Sequence, residues 1–219
     1  MADLSTASST DTATHFSFRQ RLMEIDMFFQ GTDRVHQTMR RVANYLDKSG
    51  ISHAIVGDMA VNAHHHERTT KDVDFLLTSD GFAAFRKVAD DGKFDPVPGR
   101  PRRFIDRTTN VTFDVLVTGY FPGSGKPGPI SYPDPLQVAQ KMDELQVVDL
   151  PTLIQLKLAA HRYQDFADVV NLIGANQLDE LFQDRLHTSV RADYIECLEE
   201  KRREDEYEAR QDRAMDGEG

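Results

Sequence analysis

The sequence predicts an α/β fold: a small mixed, twisted β-sheet flanked by helices, with a helical C-terminal part closing one side of a cleft. Three observations predict it. The apolar runs at 53–56, 72–77 and 111–117 are too short for buried helices and are rich in β-branched and aromatic residues. Segments with apolar residues at helical spacing alternate with those runs, as a sheet backed by helices requires. From residue 150 onward the pattern is helical throughout.

Taken in order, residues 1–14 are polar and low in large apolar side chains, the composition of a disordered terminus. Residues 15–32 form an accessory amphipathic helix in which Phe18, Leu22, Ile25 and Phe29 follow helical spacing. Its apolar face has to cover either this domain or a second copy, so a homodimer is one expectation. The core spans 33–149. A helix over 33–48 stops at Ser49-Gly50, and a strand over 53–56 leads through Gly57 into a helix that ends at His64-His65-His66. A second strand follows in RTTKDVDFLL (68–77), then a helix from Ser79 to Asp91. Residues 102–117 read as a hairpin turning at Thr109-Asn110, and 122–135 as a Gly/Pro-rich loop. Residues 150–189 are the helical closing part, and 190–219 a charged helix and tail in which Glu199–Arg203 and Glu206–Arg210 are spaced for ion pairs.

Composition narrows the function. The 219-residue chain carries a formal charge of −10, which argues against nucleic-acid binding over its whole surface but leaves a local basic groove open. Arg100, Arg102, Arg103 and Arg107 are candidates for such a groove, touching either a triphosphate or an RNA acceptor. The alternative is that they only keep an edge strand soluble. A single cysteine, Cys197, a polar N-terminus without an apolar signal core and the lack of any 18-residue apolar stretch lead to the expectation of a cytoplasmic protein. The loop PGSGKPG (122–128) is not a phosphate loop: its glycine spacing is wrong and Pro127 replaces the Ser/Thr.

The chemistry concentrates in Asp72 and Asp74. Two residues apart in a strand, they share one face, with backbones roughly 6.5 Å apart. Two carboxylates in a half-buried strand repel each other and are costly to desolvate, and a divalent cation is the usual remedy. Asp114, alone in the β-branched run VTFDVLV (111–117), is a third acid that needs an explanation. If the two strands are neighbours, the three carboxylates converge on a site of the kind that two-metal phosphoryl or nucleotidyl transfer uses.

Three consecutive histidines fan out around a helix and cannot ligate one metal, so 64–66 read as a solvated helix end. Lys157 stands on an otherwise apolar helix face, where a lysine can snorkel. Asp165 and Asp168 either cap the next helix or orient Lys157 and Arg162.

The order of these pieces resembles the polymerase beta-like nucleotidyltransferase superfamily, in particular its small stand-alone prokaryotic members, the minimal and the abortive-infection-type toxin nucleotidyltransferases. The matching residues are Gly57-Asp58, Arg68-Thr69-Thr70-Lys71-Asp72-Val73-Asp74, Asp114, and the helix pair of LPTLIQLKLAAHRYQDFADVVNLI (150–173) at Lys157, Ala160, Arg162, Asp165 and Asp168. The resemblance covers about 33–175. It implies an NTP substrate and a hydroxyl acceptor that is a small molecule, a protein or an RNA 3′ end. It also implies two Mg²⁺ (or Mn²⁺) ions held by Asp72, Asp74 and Asp114, and a nucleotide contacted by Gly57, Asp58, Arg68, Thr70 and Lys157. Asp58 stands where the family has a second Gly or a Ser facing the phosphates. It either caps the helix or opposes the phosphates; the second case implies a degenerate nucleotide- or partner-binding protein, or a toxin–antitoxin-type component, without turnover.

Overall fold

The computed structural model describes residues 18–88 and 92–216. It has a single seven-stranded mixed sheet with helices packed against it and a helical C-terminal part. The expected disorder of residues 1–14 and the last residues of the helix expected to reach Asp91 lie outside the described residues.

Helix α1 (Phe18–Phe29) leads into α2 (Arg34–Lys48). Asp33 starts α2 by accepting hydrogen bonds from the Val35 and His36 backbone N–H groups, as an N-cap aspartate does. Met39, Val42, Ala43 and Leu46 then bury one stripe of that helix. Of α1, Phe28 is buried, while Leu22, Met23, Ile25, Met27 and Phe29 remain exposed. This domain therefore leaves most of that apolar face uncovered.

Strand β1 (His53–Val56) runs into α3 (Gly57–Ala63), then β2 (Asp72–Leu77) and α4 (Ser79–Val88). Strands β3 (Phe94–Val97), β4 (Arg100–Asp106) and β5 (Val111–Val117) form an antiparallel run. The turn between β4 and β5 is closed by Asn110 at φ 57°, a left-handed conformation that asparagine tolerates. A short α5 (Pro135–Val138) precedes a second hairpin, β6 (Ala139–Met142) and β7 (Leu145–Val148). The sheet order is β3-β4-β5-β2-β1-β7-β6, with β2 parallel to β5 and β1 parallel to β7. Helices α6 (Leu150–Ala160), α7 (Tyr163–Ala175) and α8 (Arg191–Asp216) follow, with 3-10 turns at 180–190.

The helical stretch from 150 is thus broken twice: at His161, left-handed at φ 57°, and after Ala175. The β6–β7 hairpin and β3 are additions to the expected sheet. Their strands are four residues long, half polar or interrupted by Pro96, and give little periodicity to read.

Alternation along β5 is the feature that positions the site. Val111, Phe113, Val115 and Val117 are buried on one face, where Phe113 meets Phe75, Phe85, Phe94 and Phe104 in a cluster of rings. Thr112, Asp114 and Leu116 alternate with them on the opposite face. In β2 the same alternation gives Val73, Phe75 and Leu77 to the core side, and Asp72 and Asp74 to the side of Asp114.

Candidate functional site

Asp74 pairs in register with Asp114 across the parallel β2–β5 ladder, and Asp114 pairs in turn with Arg103 across the antiparallel β5–β4 ladder. Asp72, Asp74 and Asp114 therefore share one face of two adjacent strands, as expected. They line a cleft of about 350 Å³ whose opposite wall is α6, through Leu153, Leu156, Lys157 and Ala160. Pro122, Gly123 and Tyr132 form its rim. The 122–128 loop lies against the end of α6: a Cβ on Gly123 would come within 2.5 Å of the Ala160 carbonyl oxygen.

Arg103 sits among the three acids. Its Nε donates to both oxygens of Asp114, at 2.9 and 3.2 Å, and its terminal NH₂ reaches Asp114 and, at 3.3 Å, Asp72. The hydrogen bonds to Asp114 hold the Arg103 pKa above its ordinary value. Burial raises the pKa of Asp72, and Arg103 works against that rise.

Asp74 differs. Among the described residues its carboxylate has no hydrogen-bond or ion-pair partner, and its pKa is pushed up to about 7, first by burial and then by the charges of Asp72, Asp114 and Asp58. It is roofed by Gly57, where a Cβ would stand 2.1 Å from Asp74 Oδ2. Gly57 also has φ +64°, so close approach and backbone conformation both require glycine there.

A second ionic cluster lies beside the first. Lys157, 6% exposed, places Nζ 2.9 Å from Asp58 Oδ1, 2.6 Å from Asp168 Oδ2 and 3.4 Å from Asp165 Oδ1. Burial opposes its charge, but Asp58 and Asp168 outweigh that and keep its pKa above the ordinary lysine value. Arg68 reaches both oxygens of Asp168 at 2.7 Å and Asp58 Oδ2 at 3.1 Å. Arg162 reaches Asp165 at 2.6 and 3.1 Å.

These contacts settle several alternatives. Lys157 does not snorkel; it turns toward the cleft. Asp165 and Asp168 orient Lys157, Arg68 and Arg162 and do not cap α7, whose N-cap is Arg162 with no side-chain cap bond. Asp58 does not cap α3 either: the N-cap is Val56, without a side-chain cap bond, and the Asp58 carboxylate is held by Lys157 and Arg68.

Other expectations are corrected. Thr70 makes only long contacts of 3.3 and 3.5 Å, to the Asp72 carbonyl oxygen and carboxylate, and neither Thr70 nor Arg68 is among the cleft-lining residues. The four arginines do not form one groove, because alternation along β4 sends neighbours to opposite faces. Arg103 serves the acids, Arg102 lies 4.7 Å over the Tyr120 ring, Arg107 pairs with Asp95, and Arg100 is exposed. Of the histidines, His64 is buried, with Nε2 2.8 Å from the Val148 carbonyl oxygen, so only part of 64–66 is a solvated helix end. In α8, Arg203 pairs with Glu200 instead of Glu199, and Arg210 donates to the Glu206 backbone oxygen.

Sequence reasoning missed Arg103 as a partner of the acids, and it missed Tyr132. The first was legible in principle: an arginine directly opposite Asp114 on the strand that pairs antiparallel with VTFDVLV points to the same face. Tyr132 comes from an irregular loop and has no such signal. Its phenol, on the cleft rim, is pushed up to about 12 by burial first and by the Asp74 charge second.

The carboxylates are of the hard-oxygen type that suits a divalent cation, and unpartnered Asp74 fits one. Among the described residues, however, no three His, Cys, Asp or Glu side chains form a ready-made metal-ligating group. Arg103 donates to oxygens of Asp114 and Asp72 there. Among the described residues, no helix is long and apolar enough to cross a membrane. No protein-family model matches the chain, and no curated protein matches it.

Proposed function

We propose that this cleft performs nucleotidyl transfer, moving an NMP from an NTP to a hydroxyl acceptor. One observation carries the reading: Asp72, Asp74 and Asp114 occupy one face of two adjacent strands in a single cleft, with the Asp74 carboxylate unpartnered among the described residues, under the Gly57 backbone. Three acids against a single arginine make a site deficient in positive charge, and such a site takes cations.

Asp72, Asp74 and Asp114 would hold Mg²⁺ or Mn²⁺, whose chemistry is to neutralise the triphosphate and acidify the acceptor hydroxyl. The residues themselves do the rest. The apolar wall of Leu116, Pro122, Tyr132, Leu153 and Leu156 suits a nucleobase and excludes water. Lys157 and Arg68 supply positive charge beside the acids. The acceptor oxygen attacks the α-phosphorus, the bond from that phosphorus to the bridging oxygen breaks, and pyrophosphate leaves. The acceptor's proton passes to one carboxylate of the trio.

A second reading, nucleotide or partner binding without turnover, is favoured by the Asp58 carboxylate standing on Lys157 and Arg68. Incubation with α-labelled ATP, CTP, GTP and UTP, Mg²⁺ and a cell lysate separates the two. Transfer of label by the wild type and none by Asp74→Asn supports the transferase; tight NTP binding with no labelled product supports the second reading.

A further inference from the structure

We infer that Asp58 is an internal counter-anion: its carboxylate masks an anion-binding subsite built from Lys157 and Arg68, and a phosphoryl ligand has to displace it. The inference deepens the nucleotidyl-transfer reading and rests on it for the identity of the anion. The masking itself rests on geometry.

Three cations, Lys157, Arg68 and Arg162, face three carboxylates, Asp58, Asp165 and Asp168. The carboxylates are not equivalent. Asp165 and Asp168 are each 1% exposed and come from α7, where they are fixed by Arg162 and by Arg68. Asp58 has a side chain 29% exposed, comes from the opposite side of the cleft on α3, and is the member of the three whose side chain opens to solvent.

Asp58 is therefore the carboxylate whose own charge regains water when it leaves, and the charge it leaves short of a partner is the buried Lys157. Its oxygens sit 2.9 Å from Lys157 and 3.1 Å from Arg68, the distances a phosphate oxygen would take up on the same donors. With Asp58 in place the cluster is neutral. Without it, one positive charge is uncompensated, beside a cleft already shaped to admit a ligand. The Asp58 charge also raises the pKa of Asp72 and Asp74, so Asp58 and the acid trio feel each other across the cleft. A cation on the trio and an anion on Lys157 then favour one another, because each compensates a charge that the other exposes.

The test is calorimetric titration with sodium tripolyphosphate, free of divalent cations, into wild type and Asp58→Asn. The expected result is weak or undetectable binding by the wild type and a gain of at least about tenfold for Asp58→Asn. Adding Arg68→Gln to Asp58→Asn should return the affinity to the wild-type level. Asp58→Ser gives the same reading if the asparagine variant melts early. In the wild type, Mg²⁺ should strengthen tripolyphosphate binding to the protein.

Equal affinity in wild type and both Asp58 variants overturns the mask, whatever the transfer assay gives. So does a gain that survives loss of Arg68. A gain at Asp58→Asn with no labelled product from any NTP leaves the mask standing and overturns the transferase reading.

Discussion

The cleft holds two ionic clusters side by side, and they are built on opposite principles. On the β2–β5 face, Asp72 and Asp114 share one arginine, and among the described residues Asp74 is left without a partner. Around α6 and α7, three cations and three carboxylates close on one another, with Lys157 buried at the centre. The first cluster is held open by the sheet, which fixes its acids through backbone register; the second is held together by its own charges. An open cluster is strained until something positive arrives. A closed one is stable alone and resists a ligand.

Removing the centre of the closed cluster should have the largest effect. Lys157→Met strands Asp58, Asp165 and Asp168 with fewer cations, at a cost of about 3–5 kcal/mol in unfolding free energy. Denaturant titration reads it; a loss below about 1 kcal/mol would mean that the cluster is not closed.

The open cluster should respond in the opposite direction. The Asp74 pKa is raised from 3.8 to about 7 in the native protein, so the folded state holds a proton that the unfolded chain releases. That contribution is present in full below about pH 4 and is lost as pH rises through about 7. In the metal-free protein Asp74→Asn should therefore gain on the wild type across this range, reaching on the order of 2–4 kcal/mol above pH 7. Buried His53 and His64 have lowered pKa values and cost stability as pH falls below 6.5, but they do so in both proteins, and the difference between the two cancels them. A difference that does not depend on pH would contradict the open-cluster account.

A smaller effect is expected at Arg103, which competes with any cation for the oxygens of Asp114 and Asp72. Arg103→Gln should tighten Mn²⁺ binding roughly tenfold while lowering the metal-free melting temperature. Weaker Mn²⁺ binding would make Arg103 a support of the site and not a competitor. At the bottom of the scale, Arg203→Ala removes only an exposed pair with Glu200 on α8 and should leave the melting temperature unchanged.

The two clusters also differ in how far the sequence revealed them. The open one was legible because strand alternation is short-range: Asp72-x-Asp74 and an acid inside VTFDVLV announce their faces without any tertiary knowledge. That β2 and β5 are neighbours was a condition the sequence left open, and the register Asp74↔Asp114 meets it.

The closed cluster was legible only as residue types. Lys157 meets Asp58 from 99 positions away and Arg68 meets Asp168 from 100, and no local pattern encodes those distances. Asp58 is the clearest case: aspartate at a helix start reads as a cap, yet tertiary charge captures it instead. His64 fails in the same way. Three histidines in a row look solvated, but a carbonyl on β7, 84 positions on, makes one of them a core residue. The β6–β7 hairpin is missing from the sequence reading because its outer strand, Ala139–Met142, is half exposed and polar.

The most direct test of the open cluster is calorimetric titration of Mn²⁺ into metal-free wild type and Asp74→Asn at pH 7.5. The account predicts saturable binding to the wild type and no measurable binding to Asp74→Asn. Equal binding by the two proteins, or none by the wild type, would contradict it.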